Sequence, residues 1–338
     1  MIGVDLAKAV FQLHATSMTG QLRFCKKLSR QSFLKFMAEQ PPAVVVLEAC
    51  GSAHYWTREM TGLGHEVKLI APQYVKPFVK RQKNDAADAE AIVIAAQRPE
   101  MRFVEPKSAE QKGRAMLFRA RARLVQQRTE LVNMLRAFLY ELGYVVPQGI
   151  NNMPRIAAII TEPNSDLPEI ARIECRDLLE QIEAMTVRIA TSDRRIKDLA
   201  GQADMARRLQ TMPGVGPMTA LAVEAFAPPM ESFKCGRDFA AWLGLVPKQH
   251  SSGGKTRHGR VSKAGQSDIR QLLIMGAMSR LNWIGRKSIP ETSWLASMLA
   301  RKPRMLVAIA LANKMARMIW AMLTKQEDYR TPATATAA

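Results

Sequence analysis

The spacing of apolar positions changes character along this chain, and each change marks a different kind of structure. Up to about residue 100 the apolar runs are short. Residues 2–5, 10–15 and 22–25 are closely spaced strands suited to antiparallel pairing. A helix follows over 32–39. The run AVVVLE at 43–48 is continuously apolar, as in a strand buried on both faces. A helix over 55–63 and a strand over 66–70 complete the pattern. Three antiparallel strands followed by β-α-β units is the element order of an α/β ribonuclease-H-like fold. An open sheet of this kind places its ligand site at the carboxyl ends of its strands.

Beyond about residue 107 the period becomes helical. Leu117, Leu124, Leu131, Leu135, Phe138 and Leu142 recur at spacings of seven, four and three, the seam of a long helix. Prolines and glycines over 143–166 break it, and a second seam runs through Ile182, Met185, Ile189, Ile196 and Leu199. The pair predicts an antiparallel helical hairpin or coiled-coil linker; helices packed into a single core are the alternative. From 205 to about 325 the chain is mainly helical and rich in Arg, Lys, Gly and Met. The most hydrophobic stretch, 305–323, is interrupted by Lys314 and Arg317 and reads as a buried or amphipathic helix. The expected organisation is an α/β domain over 1–105, a helical linker over 106–204, a mainly α-helical domain over 205–328, and a disordered Thr/Ala tail over 329–338.

Charge sharpens the picture. The 338 residues carry a formal net charge of +19 with 47% hydrophobic residues, so the chain can bury real cores while favouring a polyanion, most commonly nucleic acid. Cys25, Cys50, Cys175 and Cys235 form no C-x-x-C pair, which argues against a zinc ribbon or a disulfide framework and fits a reducing cytoplasm. The start, MIGVDLAKAVF, lacks the features of a signal peptide.

Candidate chemistry begins with acids. Asp5 ends the first predicted strand and Glu48 ends the buried one. Asp85 and Asp88 stand three apart at the start of an Ala-rich helix, so both project from one face. Each has a structural explanation alone, such as a turn residue or an acid at a helix N-terminus. Together, at two strand ends and on one helix, they predict a carboxylate cluster whose mutual repulsion Mg²⁺ would relieve, a pair of ions being suited to phosphoryl transfer. GVDL also resembles the first phosphate loop of actin-like sugar kinases, but no second loop completes that pattern.

The third region carries LQTMPGVGPMTALAVEAF, a helix-hairpin-helix-like pattern in which Gly214 and Gly216 would let backbone amides approach phosphate. A plain tight turn is the competing reading. From Lys248 to Lys287 there are nine Lys/Arg against one acid, Asp268, interleaved with glycines and serines. This predicts a flexible basic loop leading into a helix, with Lys255, Arg257, Arg260, Lys263 and Arg270 as DNA contacts. The residues themselves favour phosphate hydrogen bonding by Ser251, Ser252 and Ser262 over a nucleophilic serine, and phosphate or turn contacts for His250 and His258.

The motifs IGVDLAK, LEACGSAHYW, KNDAADA, PGVGP and WLGLVPKQHSSGGKxRxGxVSKAG, in this order, resemble the DEDD transposases of bacterial insertion sequences. The resemblance covers the chain except its Thr/Ala tail. It implies a RuvC-like N-terminal domain with metal-binding Asp5, Glu48, Asp85 and Asp88, expected to hold two Mg²⁺ ions, and a C-terminal serine transposase domain. It further implies Ser252 as nucleophile, with Ser251 the neighbouring alternative. A structured bridge RNA as guide, a homo-oligomer up to a synaptic tetramer, and a bacterial cytoplasmic, nucleoid-associated setting are also implied. One departure stands out: only four residues precede Asp5, fewer than in family members, which raises the expectation of a short, frayed first strand. The competing functions are a junction-resolvase-like, metal-dependent nuclease and a non-catalytic nucleic-acid-binding protein.

Overall fold

The computed structural model describes residues 1–79, 85–163, 165–284 and 293–330. The segment 331–338, expected to be disordered, and the basic residues Arg286 and Lys287 lie outside the described residues. The chain divides into two compact units, Met1–Lys112 and Gly113–Ala338.

The first unit runs β1 (Ile2–Leu6), β2 (Val10–Thr16), β3 (Leu22–Ser29), α1 (Arg30–Ala38), β4 (Val44–Glu48), α2 (Ala53–Gly62), β5 (Glu66–Ile70), α3 (Pro72–Val75), α4 (Asp85–Ala96) and β6 (Phe103–Val104). Its sheet has the order β3-β2-β1-β4-β5-β6. The first three strands pair antiparallel, β1, β4 and β5 parallel, and β6 returns antiparallel on β5. This mixed α/β sheet is consistent with a RuvC-like domain. The first strand is not frayed: β1 pairs along its whole length with β2 and through Val4 with β4, and the Met1 amino group donates to the Thr16 carbonyl at 2.9 Å.

Strand alternation sorts the side chains onto two faces. Ile2, Val4, Val45, Leu47, Phe11 and Leu13 turn toward α1 and α2, where Phe11, Phe33 and Trp56 meet edge to face with centroids 5.0–5.2 Å apart. Val46 and Ile70 turn the other way, onto Ala91, Ile92 and Ala95 of α4. Gly3 also faces α4. A Cβ there would lie 2.5 Å from Val93 Cγ2 and 2.7 Å from the Ala89 carbonyl oxygen, so only glycine lets the helix seat this closely on β1.

The second unit begins within α5 (Ala109–Glu141) and continues through α6 (Met153–Thr161), α7 (Glu169–Gln202), α8 (Asp204–Gln210), α9 (Pro217–Phe226), α10 (Gly236–Trp242), β7 (Pro247–Ser252), β8 (Lys255–Val261), α11 (Ser267–Ile284), α12 (Trp294–Arg301) and α13 (Arg304–Lys325). The helices α5 and α7 run antiparallel, held by an Arg121–Asp193 ion pair and by Arg128 Nη1 donating to Thr186 Oγ1 at 3.2 Å. The seam on α7 includes the buried Ile182, Ile189 and Ile196, as the spacing predicts. On α5 the stripe is turned by about one position. Phe118, Val132, Leu135 and Leu139 are buried, while Phe138 and Leu142 are 47% and 37% exposed. The cause is packing from a second side: α6 folds back, and Ile156 and Ile160 join Val132, Leu135 and Leu139 in one cluster.

The main core of this unit gathers α8, α9, α10, α11 and α13. The helix α13 is long and apolar enough to cross a membrane by length and composition. Here Val307, Leu311, Met315, Ile319 and Met322, at helical spacing, are buried in that core, and α13 packs on α10 and α11. Its exposed side carries Lys314 and Arg317.

Candidate active site and nucleic-acid interface

Two acids end neighbouring parallel strands. The pairing of Val4 with Leu47 puts Asp5 and Glu48, one residue on, at the same level of the sheet. Alternation turns both away from the Trp56 core and toward α4, and Glu48 pairs with Ile70, which packs on that side. Both are half-buried. The helix crosses β1 with Ala89 over Gly3. At its far end Gln97 donates to Thr16 Oγ1 at 3.5 Å, near the start of β1. Its N-terminus therefore lies toward the carboxyl ends of β1 and β4. Asp88, half-buried, precedes Ala89, and by helical spacing position 85 falls on the same stripe as Asp88, Ala89 and Ile92.

The sheet thus brings Asp5, Glu48 and Asp88 to one edge and one face. The Asp85 side chain lies outside the described residues, and among the described residues no three Asp, Glu, His or Cys side chains close into a metal-holding group. In donor chemistry the set fits a hard divalent cation, since all of its ligands would be carboxylate oxygens.

The motif that contains Glu48 has a second function in the fold. From α2, His54 Nδ1 accepts a hydrogen bond from the Lys107 backbone N–H at 3.1 Å, and Arg58 Nη1 donates to the Lys107 carbonyl at 3.0 Å. Burial, and then the positive charges of Lys112, Lys107 and Arg58, push the His54 pKa down from 6.5 to about 4. At neutral pH the ring is uncharged and acts as an acceptor. No sequence signal identified this role.

In the second unit the expected flexible loop is an antiparallel ribbon. The strands β7 and β8 pair Gln249 with His258, His250 with Arg257, Ser251 with Thr256 and Ser252 with Lys255. Gly253 and Gly254, with φ of 55° and 74°, form the two-residue turn, the geometry whose twist suits a hairpin. The Gly-Gly pair was the available sequence signal. It is easily missed because both faces are polar and exposed, leaving no apolar alternation to flag a strand.

The ribbon separates the two serines. Directly paired residues share a face, so Ser252 lies with Lys255, and two pairs further on with His250 and Arg257. Ser251 lies on the opposite face beside Thr256, and its Oγ accepts from Gln249 Nε2 at 3.0 Å. Lys255, Arg257, Arg260 and Lys263 are exposed and available to a polyanion. Arg270 is different: half-buried, it donates to the Leu243 carbonyl at 2.9 Å and holds the protein's own backbone. Ser262 lies at the ribbon's base, where its N–H donates to the Val246 carbonyl.

The PGVG turn lies between α8 and α9. Gly214, with φ of 91°, packs against α11, where a Cβ would come within 3.0 Å of the Gly276 carbonyl. That close approach explains this glycine without a phosphate. Gly216 is exposed, with open space where a Cβ would be.

Comparison with known proteins bears on both units. A family model described as the IS116/IS110/IS902 transposase family matches residues 206–290, and a DEDD transposase model of the IS110 group matches residues 2–143. The chain is 44% identical over 336 residues to a putative transposase, y4pF/y4sB, of Sinorhizobium fredii, covering 97% of this chain and 85% of that one. It is 43% identical over 331 residues to a probable family 20 transposase of Pseudomonas aeruginosa, covering 97% and 98%. It is 38% identical over 340 residues to the transposase for insertion sequence element IS1111A of Coxiella burnetii, covering 98% and 92%.

Proposed function

The chain belongs to the IS116/IS110/IS902 family of transposases, and on that footing we propose that its carboxylate edge and basic ribbon together cut and rejoin DNA, with Ser252 as nucleophile. Membership in the family implies DNA cleavage and rejoining. The observation that carries the reading is the register of β1 against β4, which sets Asp5 and Glu48 side by side beneath the Asp88 end of α4.

Asp5, Glu48, Asp85 and Asp88 would hold Mg²⁺. When bound, the metal supplies Lewis-acid stabilisation of negative charge at phosphorus. The protein's own groups do the rest. Ser252 Oγ loses its proton and bonds to phosphorus, and the bond from phosphorus to one bridging oxygen of the DNA breaks, freeing a strand hydroxyl. The serine–DNA phosphoester keeps one phosphoester bond for each one broken. Attack by another strand's hydroxyl then releases the serine and rejoins DNA without an external energy source. Lys255, directly opposite Ser252, and Arg257 on the same face offset the charge of the alkoxide and of the phosphate. Arg260 and Lys263 add sequence-independent phosphate contacts.

Two further parts of the proposal concern selection and assembly. A structured guide RNA selects the target by pairing, and the net charge of +19 favours polyanions such as RNA and DNA alike. A homo-oligomer, up to a synaptic tetramer, brings several DNA ends together. In a second reading water replaces Ser252. It is favoured by the setting of Ser252, exposed on a ribbon face shared with Lys255, His250 and Arg257, which suits phosphate binding.

The test combines protein, element RNA, Mg²⁺ and end-labelled DNA spanning an element junction, followed by a denaturing gel. A protein–DNA band that disappears in both Ser252→Ala and Asp88→Asn is expected. Cut DNA without any linked protein assigns the attack to water.

A further inference from the structure

An open groove of about 1090 Å³ runs between α10, α12, α13 and the base of the β7–β8 ribbon. Arg237, Arg260, Lys314 and Arg317 line it, with no acid among its lining residues. All four are exposed, and among the described residues none belongs to an ion pair. Between the cations lies an aromatic and apolar floor. Trp294 is 40% exposed, with Lys314 Nζ 4.8 Å from its ring centroid. The Trp320 indole is anchored by donating from Nε1 to the Met230 carbonyl at 3.3 Å. Gly236 lets α10 approach α13 at Arg317, where a Cβ would meet the Arg317 backbone at 3.1 Å.

We propose that this groove binds unpaired DNA, with phosphates on Arg237, Arg260, Lys314 and Arg317 and bases stacked on Trp294. The inference rests on the proposed function and deepens it. A duplex keeps its bases stacked inside and offers only phosphates, so it would leave the indole and the apolar floor unused. A single strand uses both kinds of surface. The position selects DNA: Arg260 belongs to the ribbon that ends at Ser252. The six residues from Pro247 to Ser252 span about 17 Å. A strand leaving a phosphate at the ribbon tip reaches the groove within a few nucleotides. The groove thus retains the strand that comes away from the broken bond until it is rejoined.

The experiment is fluorescence anisotropy on the full chain in EDTA with fluorescein-labelled oligothymidylate of about 12 nucleotides, a length in the usual range for such grooves. Oligouridylate and a duplex of equal length run in parallel. The double variant Lys314→Ala/Arg317→Ala is expected to bind the DNA strand about tenfold more weakly, with the log–log salt slope reduced by about 1.4. Trp294→Ala is expected to weaken it about tenfold, and Trp294→Phe to restore most of the loss. Duplex binding stays within about twofold, because its phosphates have the rest of the basic surface. Unchanged strand binding overturns the proposal, as does an equal loss for duplex. Tighter and equally variant-sensitive binding of oligouridylate overturns the assignment to DNA. If Trp294→Ala loses its circular dichroism spectrum, the exposed Lys/Arg pair decides. Because EDTA removes any metal-dependent chemistry, a failure here with cleavage intact rejects the groove alone. Cleavage that survives in Asp88→Asn rejects the proposed function instead.

Discussion

Replacing Gly3 by alanine tests whether the seating of α4 sets the acid geometry. The added Cβ would lie 2.7 Å from the Ala89 carbonyl oxygen and 2.5 Å from Val93 Cγ2, against an ordinary contact of 3.4–4 Å. A side chain can rotate, but the Ala89 carbonyl is helix backbone, so α4 must retreat by about 0.7 Å or more. Overpacking of this kind costs about 1–3 kcal/mol. That is readable as a fall of several degrees in the melting of the first unit. The functional effect should be of similar size in free energy, since a misplacement of about 1 Å in a reacting set costs about a hundredfold. Cleavage of labelled junction DNA, measured below the melting transition, is therefore expected to fall between tenfold and a hundredfold while DNA binding persists. Adding Val93→Ala removes one of the two clashes and leaves the carbonyl, so it should restore stability more than cleavage. Full cleavage by a destabilised Gly3→Ala protein would refute the reasoning, because Asp88 would then not need its seat above Asp5 and Glu48.

Two other groups tie stability and activity to named contacts. His54 has a folded-state pKa of about 4 against 6.5 unfolded, so between those values the unfolded chain takes up a proton that the folded chain refuses. Stability is full above about pH 6.5 and is lost as pH falls toward 4. The full shift corresponds to about 3 kcal/mol, and solvent screening at a half-buried ring reduces it to about 1–2 kcal/mol. Urea denaturation at pH 7 and pH 4.5 should show that loss, and His54→Gln, which keeps an acceptor for Lys107 without titrating, should flatten the difference. At the ribbon tip, Gly253→Val/Gly254→Val forces β-branched residues to positive φ and should abolish covalent DNA capture with little change in melting. Asn at 253 with Gly254 retained should preserve capture, and equal activity of the two variants would mean that the turn does not position Ser252.

The sheet was legible because its strands carry their own signal. Residues 2–5 and 43–48 are short apolar runs that each end in an acid, so Asp5 and Glu48 could be singled out before any pairing was known. The pairing itself, which sets Asp5 level with Glu48, needed the register, and so did the contact of Ala89 with Gly3. The ribbon stayed hidden because exposure on both faces erases the period-two pattern. The seam on α5 was misplaced by a position because α6, which covers Leu135 and Leu139, is joined to it by a turn whose folding back the heptad spacing does not encode. The grip of His54 and Arg58 on Lys107 links residues 53 and 49 apart in sequence, beyond the reach of any local pattern.

The level ends of β1 and β4 also constrain how errors can arise. A slip of one residue between strands exchanges their two faces. For β1 it would drive Asp5 toward Phe11 and Trp56, where an unpaired carboxylate is costly to bury, and would pull Val4 out of the core. The misaligned sheet is thus penalised twice, by a charge gained inside and by an apolar group lost. The acids act as a check on the register that they depend on. A lesion in the core under Trp56, on the sheet face away from the acids, would relax that check and be felt as lost catalysis before it was felt as unfolding.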